Sequence, residues 1–109
     1  MKLNQPTQPI DLNQTALKLP AAWKSVVVGN VGQTRIKVLR MDDLPFAAEA
    51  HDFNEGLLVI DGQLLLQFSD HAVTVGAGQL YVVKAGISHS VMPGSSGTLL
   101  IIDLESQAA

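Results

Sequence analysis

The sequence predicts an all-β domain, an antiparallel sandwich or barrel, on three observations. Short segments rich in Val, Ile and Leu recur at close spacing, and clusters of Gly, Asp, Ser and Pro stand between them. No stretch keeps helical periodicity for longer than about two turns.

Taken in order, residues 1–20 are polar and punctuated by proline, and read as an arm with little structure of its own. A helical pattern in "TALKLPAAW" is interrupted by Pro20. Residues 21–109 read as one domain. "KSVVVG" and "TRIKVLRM" are the first two strands. "LLVI" and "QLLLQF" are separated by Asp61-Gly62, which predicts a two-residue hairpin because both positions tolerate positive φ. "AVTV" follows a turn at Ser69-Asp70-His71, "QLYVV" follows Gly76-Ala77-Gly78, and "SHSVM" follows Lys84-Ala85-Gly86. "TLLIIDLE" closes the domain after the loop "PGSSG".

Composition narrows the function. A chain of 109 residues supports one core, and 47% apolar against 16% charged residues describes a globular domain rather than a disordered one. Seven basic and ten acidic side chains, with no basic cluster, argue against a nucleic-acid partner. The absence of cysteine leaves only nitrogen and oxygen ligands for any metal. The first residues lack the apolar region of a secretory signal, and no apolar run reaches the ~20 residues of a membrane span. A soluble cytoplasmic protein is the expectation.

The stretch "EAHDFNEGLLVIDG" carries the chemistry. In an extended chain Glu49, His51 and Phe53 share one face, Glu55 opens the next strand, and His89 lies on "SHSVM". Polar side chains entering an apolar interior need partners, at ~1–3 kcal/mol for each neutral group left bare. A divalent metal and a hydrogen-bonded network both satisfy that need, and spacing alone leaves both open.

These motifs resemble those of the small single-domain cupins, G-x5-H-x-H-x3,4-E-x6-G followed by G-x5-P-x-G-x2-H-x3-N. Here the first reads E-x-H-x3-E-x6-G from Glu49 to Gly62, and the second reads G-x5-K-x-G-x2-H-x3-P from Gly78 to Pro93. The resemblance covers roughly residues 25 to 105. It implies a double-stranded β-helix, or jelly-roll barrel, with Glu49, His51, Glu55 and His89 as ligands of one divalent ion (Fe, Mn, Ni or Zn). Glu49 stands where the family has a histidine, Lys84 replaces the proline, Pro93 replaces the asparagine, and Asp43 or Leu44 stands near the place of the opening glycine. A two-His, two-Glu set carries one more negative charge than the family type, favouring harder ions such as Mn or Fe over Cu. The resemblance admits a metal-dependent enzyme on a small oxygen-bearing substrate. The alternative is a metal-free module binding a sugar or organic acid in the same cavity. It also implies a homodimer, with the early strands and the arm pairing across a two-fold axis.

Other polar residues have plainer roles. His71 is expected exposed in a turn and Lys84 solvated, while Tyr81 and Trp23 are expected to pack with a polar tip at the surface. Arg40, on the parity of Ile36 and Val38, reads either as a strand-end residue whose stem covers apolar surface or as a contact for an anion at the barrel mouth.

Overall fold

The computed structural model describes residues 4–104. The first three residues of the expected arm and Glu105, the last of the closing strand, lie outside the described residues. A short helix, α1 (Leu12–Leu17), precedes eight strands: β1 (Val26–Val31), β2 (Thr34–Asp42), β3 (Phe46–Glu49), β4 (Glu55–Gln67), β5 (Ala72–Gly76), β6 (Leu80–Val83), β7 (His89–Val91) and β8 (Ser96–Leu104). The strands form one curled antiparallel sheet in the order β1-β2-β8-β4-β7-β3, with β5 and β6 also paired to β4. No described helix is long and apolar enough to cross a membrane.

The hairpin expected at Asp61-Gly62 does not form. Both residues lie inside β4, which runs unbroken for 13 residues. A type I′ turn needs positive φ at both central residues, and of the two only Gly62 has it, at +83°. Gly62 is paired instead with Gly97 of β8, whose φ is +102°. A side chain on Gly62 would overlap the carbonyl oxygen of Ser96, and one on Gly97 would overlap that of Asp61. The two glycines serve a close backbone crossing, not a turn.

A register shift between Val59 and Asp61 accompanies the crossing. Before it, β4 buries odd-numbered residues (Glu55, Leu57 and Val59); after it, Leu64 and Leu66 face inward. One extra residue moves every later side chain to the opposite face, so parity must change where the strand bends. The first part of β4 pairs with β6 (Glu55↔Val83 to Leu58↔Leu80) and the second with β5 (Gln63↔Gly76 to Gln67↔Ala72). A single strand thereby contributes to both ends of the curled sheet. The core inside it also takes Leu39 and Met41 from β2 and Leu99 and Ile101 from β8.

The first twenty residues contain more structure than their composition suggests. Asp11 Oδ1 accepts the Gln14 backbone N–H at 2.9 Å and caps α1. Ala16 is buried, and Arg40 Nη1 donates to the carbonyl oxygens of Ala16 and Leu19, both at 2.9 Å. Six residues are too few to show a helical period or to be stable by propensity, so docking holds the helix. Arg40 therefore points away from the barrel interior and fastens this segment to β2.

Replacing Gly62 or Gly97 by alanine is expected to cost more than about 3 kcal/mol in urea unfolding, because backbone overlap adds to the positive-φ strain. Gly78 has a φ of +81° with open space around it. Its alanine variant is expected to lose only ~1 kcal/mol, and equal losses at all three positions would contradict the crossing argument.

Candidate functional site

Two ladders and one connection assemble the site. Glu49 of β3 is paired directly with His89 of β7, so the two side chains share a face. Glu55, the first residue of β4, lies on the inward parity of Leu57 and Val59. His51 belongs to the β3–β4 connection and not to an extended run, since β3 ends at Glu49. The expected common face of Glu49, His51 and Phe53 is thus replaced by a bend at Asp52 and Phe53. That bend lets His51 and Glu55 converge from four residues apart.

The connection is tied down from the β6–β7 side. The Gly86 N–H donates to the His51 carbonyl at 2.8 Å, and the Ala85 N–H donates to Asn54 Oδ1 at 2.9 Å. Phe53 stacks on the His51 ring with centroids 5.0 Å apart and planes 15° apart. His51 is thus fixed by its backbone and by its ring face.

The four residues named by the cupin resemblance come together. His51 Nε2 lies 3.4 Å from Glu49 Oε1 and 3.6 Å from Glu55 Oε2, while His89 Nε2 lies 3.4 Å from Glu55 Oε1. One potential ligand atom from each residue falls within 4.8 Å of all the others. Ligands bound at about 2.1 Å to one ion lie no more than ~4.2 Å apart, so modest contraction closes this group on a cation. Glu55 and His89 are buried and Glu49 sits at the exposed rim.

Two details fit these residues to a metal. His89 Nδ1 is 3.0 Å from the Ile87 carbonyl, which can only accept, so Nδ1 carries a proton and Nε2 is presented to the cluster. His51 Nε2 is buried with no hydrogen-bond partner among the described residues. A bare buried nitrogen facing two carboxylates and a second imidazole matches what a divalent ion would satisfy. The hydrogen bond to Glu55 holds the His89 pKa above the usual histidine value, opposed by burial and assisted by the Ile87 carbonyl and the charges of Glu55 and Glu49.

The cluster opens on a cavity of about 210 Å³. Leu57, Leu64, Leu99 and Ile101 form its apolar wall, and Trp23, Ser25 and Lys37 line it as well. Trp23 Nε1 donates to Asp42 Oδ1 at 2.6 Å, and its ring meets Phe46 at 5.6 Å. Lys37 is the functional candidate that sequence reasoning passed over. Its signal was parity with Leu39 and Met41, but Ile36 and Val38 on the opposite face are equally apolar. His71 is exposed, bonded to Asp70 at 2.6 Å and stacked on Phe68, and this hydrogen bond holds the Asp70 pKa below the usual carboxylate value. Lys84 is exposed, and Tyr81 packs against the core.

No family model and no curated protein matches the sequence. Among solved structures, a cupin-2 domain protein from Shewanella frigidimarina superposes with a TM-score of 0.81 at 25% identity, over 88% of this chain and 94% of that one. The chain has the fold of the small cupin-domain proteins. A cupin superfamily protein from Desulfitobacterium hafniense shares the fold with a TM-score of 0.70 at 17% identity, over 95% of this chain and 98% of that one. An uncharacterized protein with a double-stranded β-helix domain from Klebsiella pneumoniae gives 0.72 at 14% identity, over 95% of each chain. The cupin motif also accounts for an unusual backbone angle. Asp43, six residues before Glu49 and so in register with the opening glycine of the motif, has a φ of +76°.

In the metal-free protein the His89–Glu55 contact carries a definite pH dependence. Because the folded pKa is raised, its stabilisation is full below the unfolded value of about 6.5 and is lost as pH rises through the folded one. With chelator present, the Tm advantage of wild type over His89→Gln is expected to shrink as pH rises above about 6.5. A gap that does not change with pH would contradict the contact.

Proposed function

We propose that this cupin holds one divalent ion through Glu49, His51, Glu55 and His89 and acts on a small oxygen-bearing molecule in the adjoining cavity. The observation that carries this reading is the buried His51 Nε2, which has no hydrogen-bond partner among the described residues and faces Glu49 and Glu55. Two carboxylates and two neutral imidazoles sum to the charge that a divalent cation cancels, which favours Mn or Fe over softer ions. Bound there, the ion supplies Lewis acidity toward a carbonyl, carboxylate or water oxygen.

The chain's own residues divide the remaining work. His89 and Glu55 are buried and fixed, and they form the permanent part of the site. Glu49, at the rim with its side chain 45% exposed, is the ligand with room to move as a small molecule enters. The apolar wall of Leu57, Leu99 and Ile101 limits water around the reacting oxygen.

We further propose a homodimer. β1 ends the sheet at one edge and exposes Val26, Val27 and Val31 at 37%, 45% and 68%. An apolar edge strand of this kind is normally covered by another chain.

Elemental analysis of untagged protein after anaerobic loading with Fe(II), Mn(II), Ni(II) and Zn(II) tests the metal. Near-stoichiometric ion is expected, with affinity falling at least ~100-fold in His51→Ala and His89→Ala, since even residues beyond the ligands can cost 10–100-fold. Full stoichiometry in both variants would overturn the ligand assignment, and no metal in wild type would leave a metal-free binding cavity. Light scattering at micromolar concentration is expected to give a dimer, converted to monomer by Val27→Glu. A clean wild-type monomer would refute the dimer.

A further inference from the structure

We propose that Lys37 is the anion anchor of the cavity, and that the molecule bound there is a small carboxylate whose hydroxyl or carbonyl oxygen faces the Glu49–His51–Glu55–His89 group. Two features carry the assignment. Among the described residues, Lys37 is the one lysine or arginine lining the cavity. It also belongs to a triad with a surplus of positive charge around one buried carboxylate. Asp103, with its side chain only 2% exposed, accepts from Arg35 Nε at 2.9 Å and Arg35 Nη2 at 3.2 Å, and forms an ion pair with Lys37 Nζ at 2.7 Å.

The paired bonds from the guanidinium already compensate the Asp103 carboxylate. Lys37 brings a second cation to the same anion, and it is the member of the triad that reaches the cavity. An ammonium has three donors, and Asp103 is its one ion-pair partner among the described residues. A cation held at the edge of an apolar cavity, fixed by a buried carboxylate and with donors to spare, suits a single carboxylate better than a sugar. Its side chain is 15% exposed, so little water competes for that contact.

Strand register places Lys37 beside the metal-type cluster. Lys37 is paired with Ile101, and Ile101 with Leu57, so the three form a row across β2, β8 and β4 with Glu55 two residues further along. A cavity of about 210 Å³ is smaller than the ~300–1,000 Å³ of pockets that take drug-sized ligands. The occupant is therefore short, with its carboxylate and its second oxygen donor only a few bonds apart. The second contact rests on the metal reading above; the Lys37 contact does not.

Trp23, the only tryptophan of the chain, lines the cavity and reports occupancy by fluorescence. Lactate and its neutral analogue lactamide are titrated into the full chain, once loaded with Mn(II) and once with chelator. Wild type is expected to bind lactate at least ten-fold more tightly than lactamide. Lys37→Met is expected to lose about ten-fold in lactate affinity with lactamide unchanged, and Lys37→Arg to retain most of it. Because lactamide must enter the same cavity, a merely structural defect would weaken both probes. Should Lys37→Met not fold, Lys37→Gln, which keeps a donor for Asp103 without the charge, is read in the same way.

Undiminished lactate binding in the uncharged variants, no saturable response to lactate, or no preference for lactate in wild type would overturn the anchor. A Lys37-dependent preference that persists in chelator in a protein that binds no Mn(II) upholds the anchor and sinks the metal reading. Mn(II) binding without a Lys37-dependent preference does the reverse.

Discussion

The backbone crossing of Gly62 and Gly97 is the constraint on which the rest of the barrel depends. Strands β4 and β8 are paired from Gly56↔Ile102 to Gln63↔Ser96, and they pass so closely at this point that neither position accommodates a Cβ. The adjoining register shift reverses the parity of β4, which lets one strand line the interior on both sides of its bend. Without it, either Glu55 and Leu57 or Leu64 and Leu66 would face solvent. The position of the metal-type cluster follows from a backbone contact at the far side of the Val59–Asp61 irregularity.

The cluster itself is built from four residues of different mobility. His89 is held through Nδ1 by a backbone carbonyl, His51 by its own carbonyl and by Phe53, Glu55 by the first ladder pair of β4, and Glu49 only by its place opposite His89. Preorganised imidazoles with a more mobile carboxylate are what a site needs to keep its ion while changing its other ligands. The substitution of glutamate at the first histidine position fits that division. A carboxylate at an exposed rim has less desolvation to offset than one placed beside Glu55 in the interior.

Much of this was legible in the sequence, and the failures have physical causes. Most strand positions followed from β-branched runs and turn residues, and the cupin resemblance named the four residues that the fold brings together. Asp61-Gly62 misled because a glycine that permits a turn equally permits a close crossing, and only the partner strand decides which occurs. The helix at Leu12–Leu17 was hidden because a docked carbonyl pair on Arg40, not a periodic apolar face, stabilises it. β3 was not anticipated because four exposed residues, "FAAE", carry no alternation. Lys37 escaped because β2 is apolar on both faces, one covering the core and the other lying beneath the N-terminal segment.

The Arg35–Asp103–Lys37 triad also bears on the cluster through strand register. Gly56 is paired with Ile102, so Glu55 and Asp103 stand one step beyond that pair, on neighbouring strands and both buried. Directly opposite residues have Cβ atoms about 5 Å apart. Two bare carboxylates at that separation would repel by about 3 kcal/mol at an effective dielectric of ~20. The barrel separates their compensation: Asp103 takes both cations from β2, and Glu55 takes the imidazoles of His51 and His89. Because Asp103 is more than compensated, the positive surplus lies beside Glu55 and not on it, which leaves the histidine nitrogens as its near partners. The polarity of the cavity, cationic at Lys37 and anionic at Glu49 and Glu55, is thus a consequence of placing two buried carboxylates next to each other on β4 and β8.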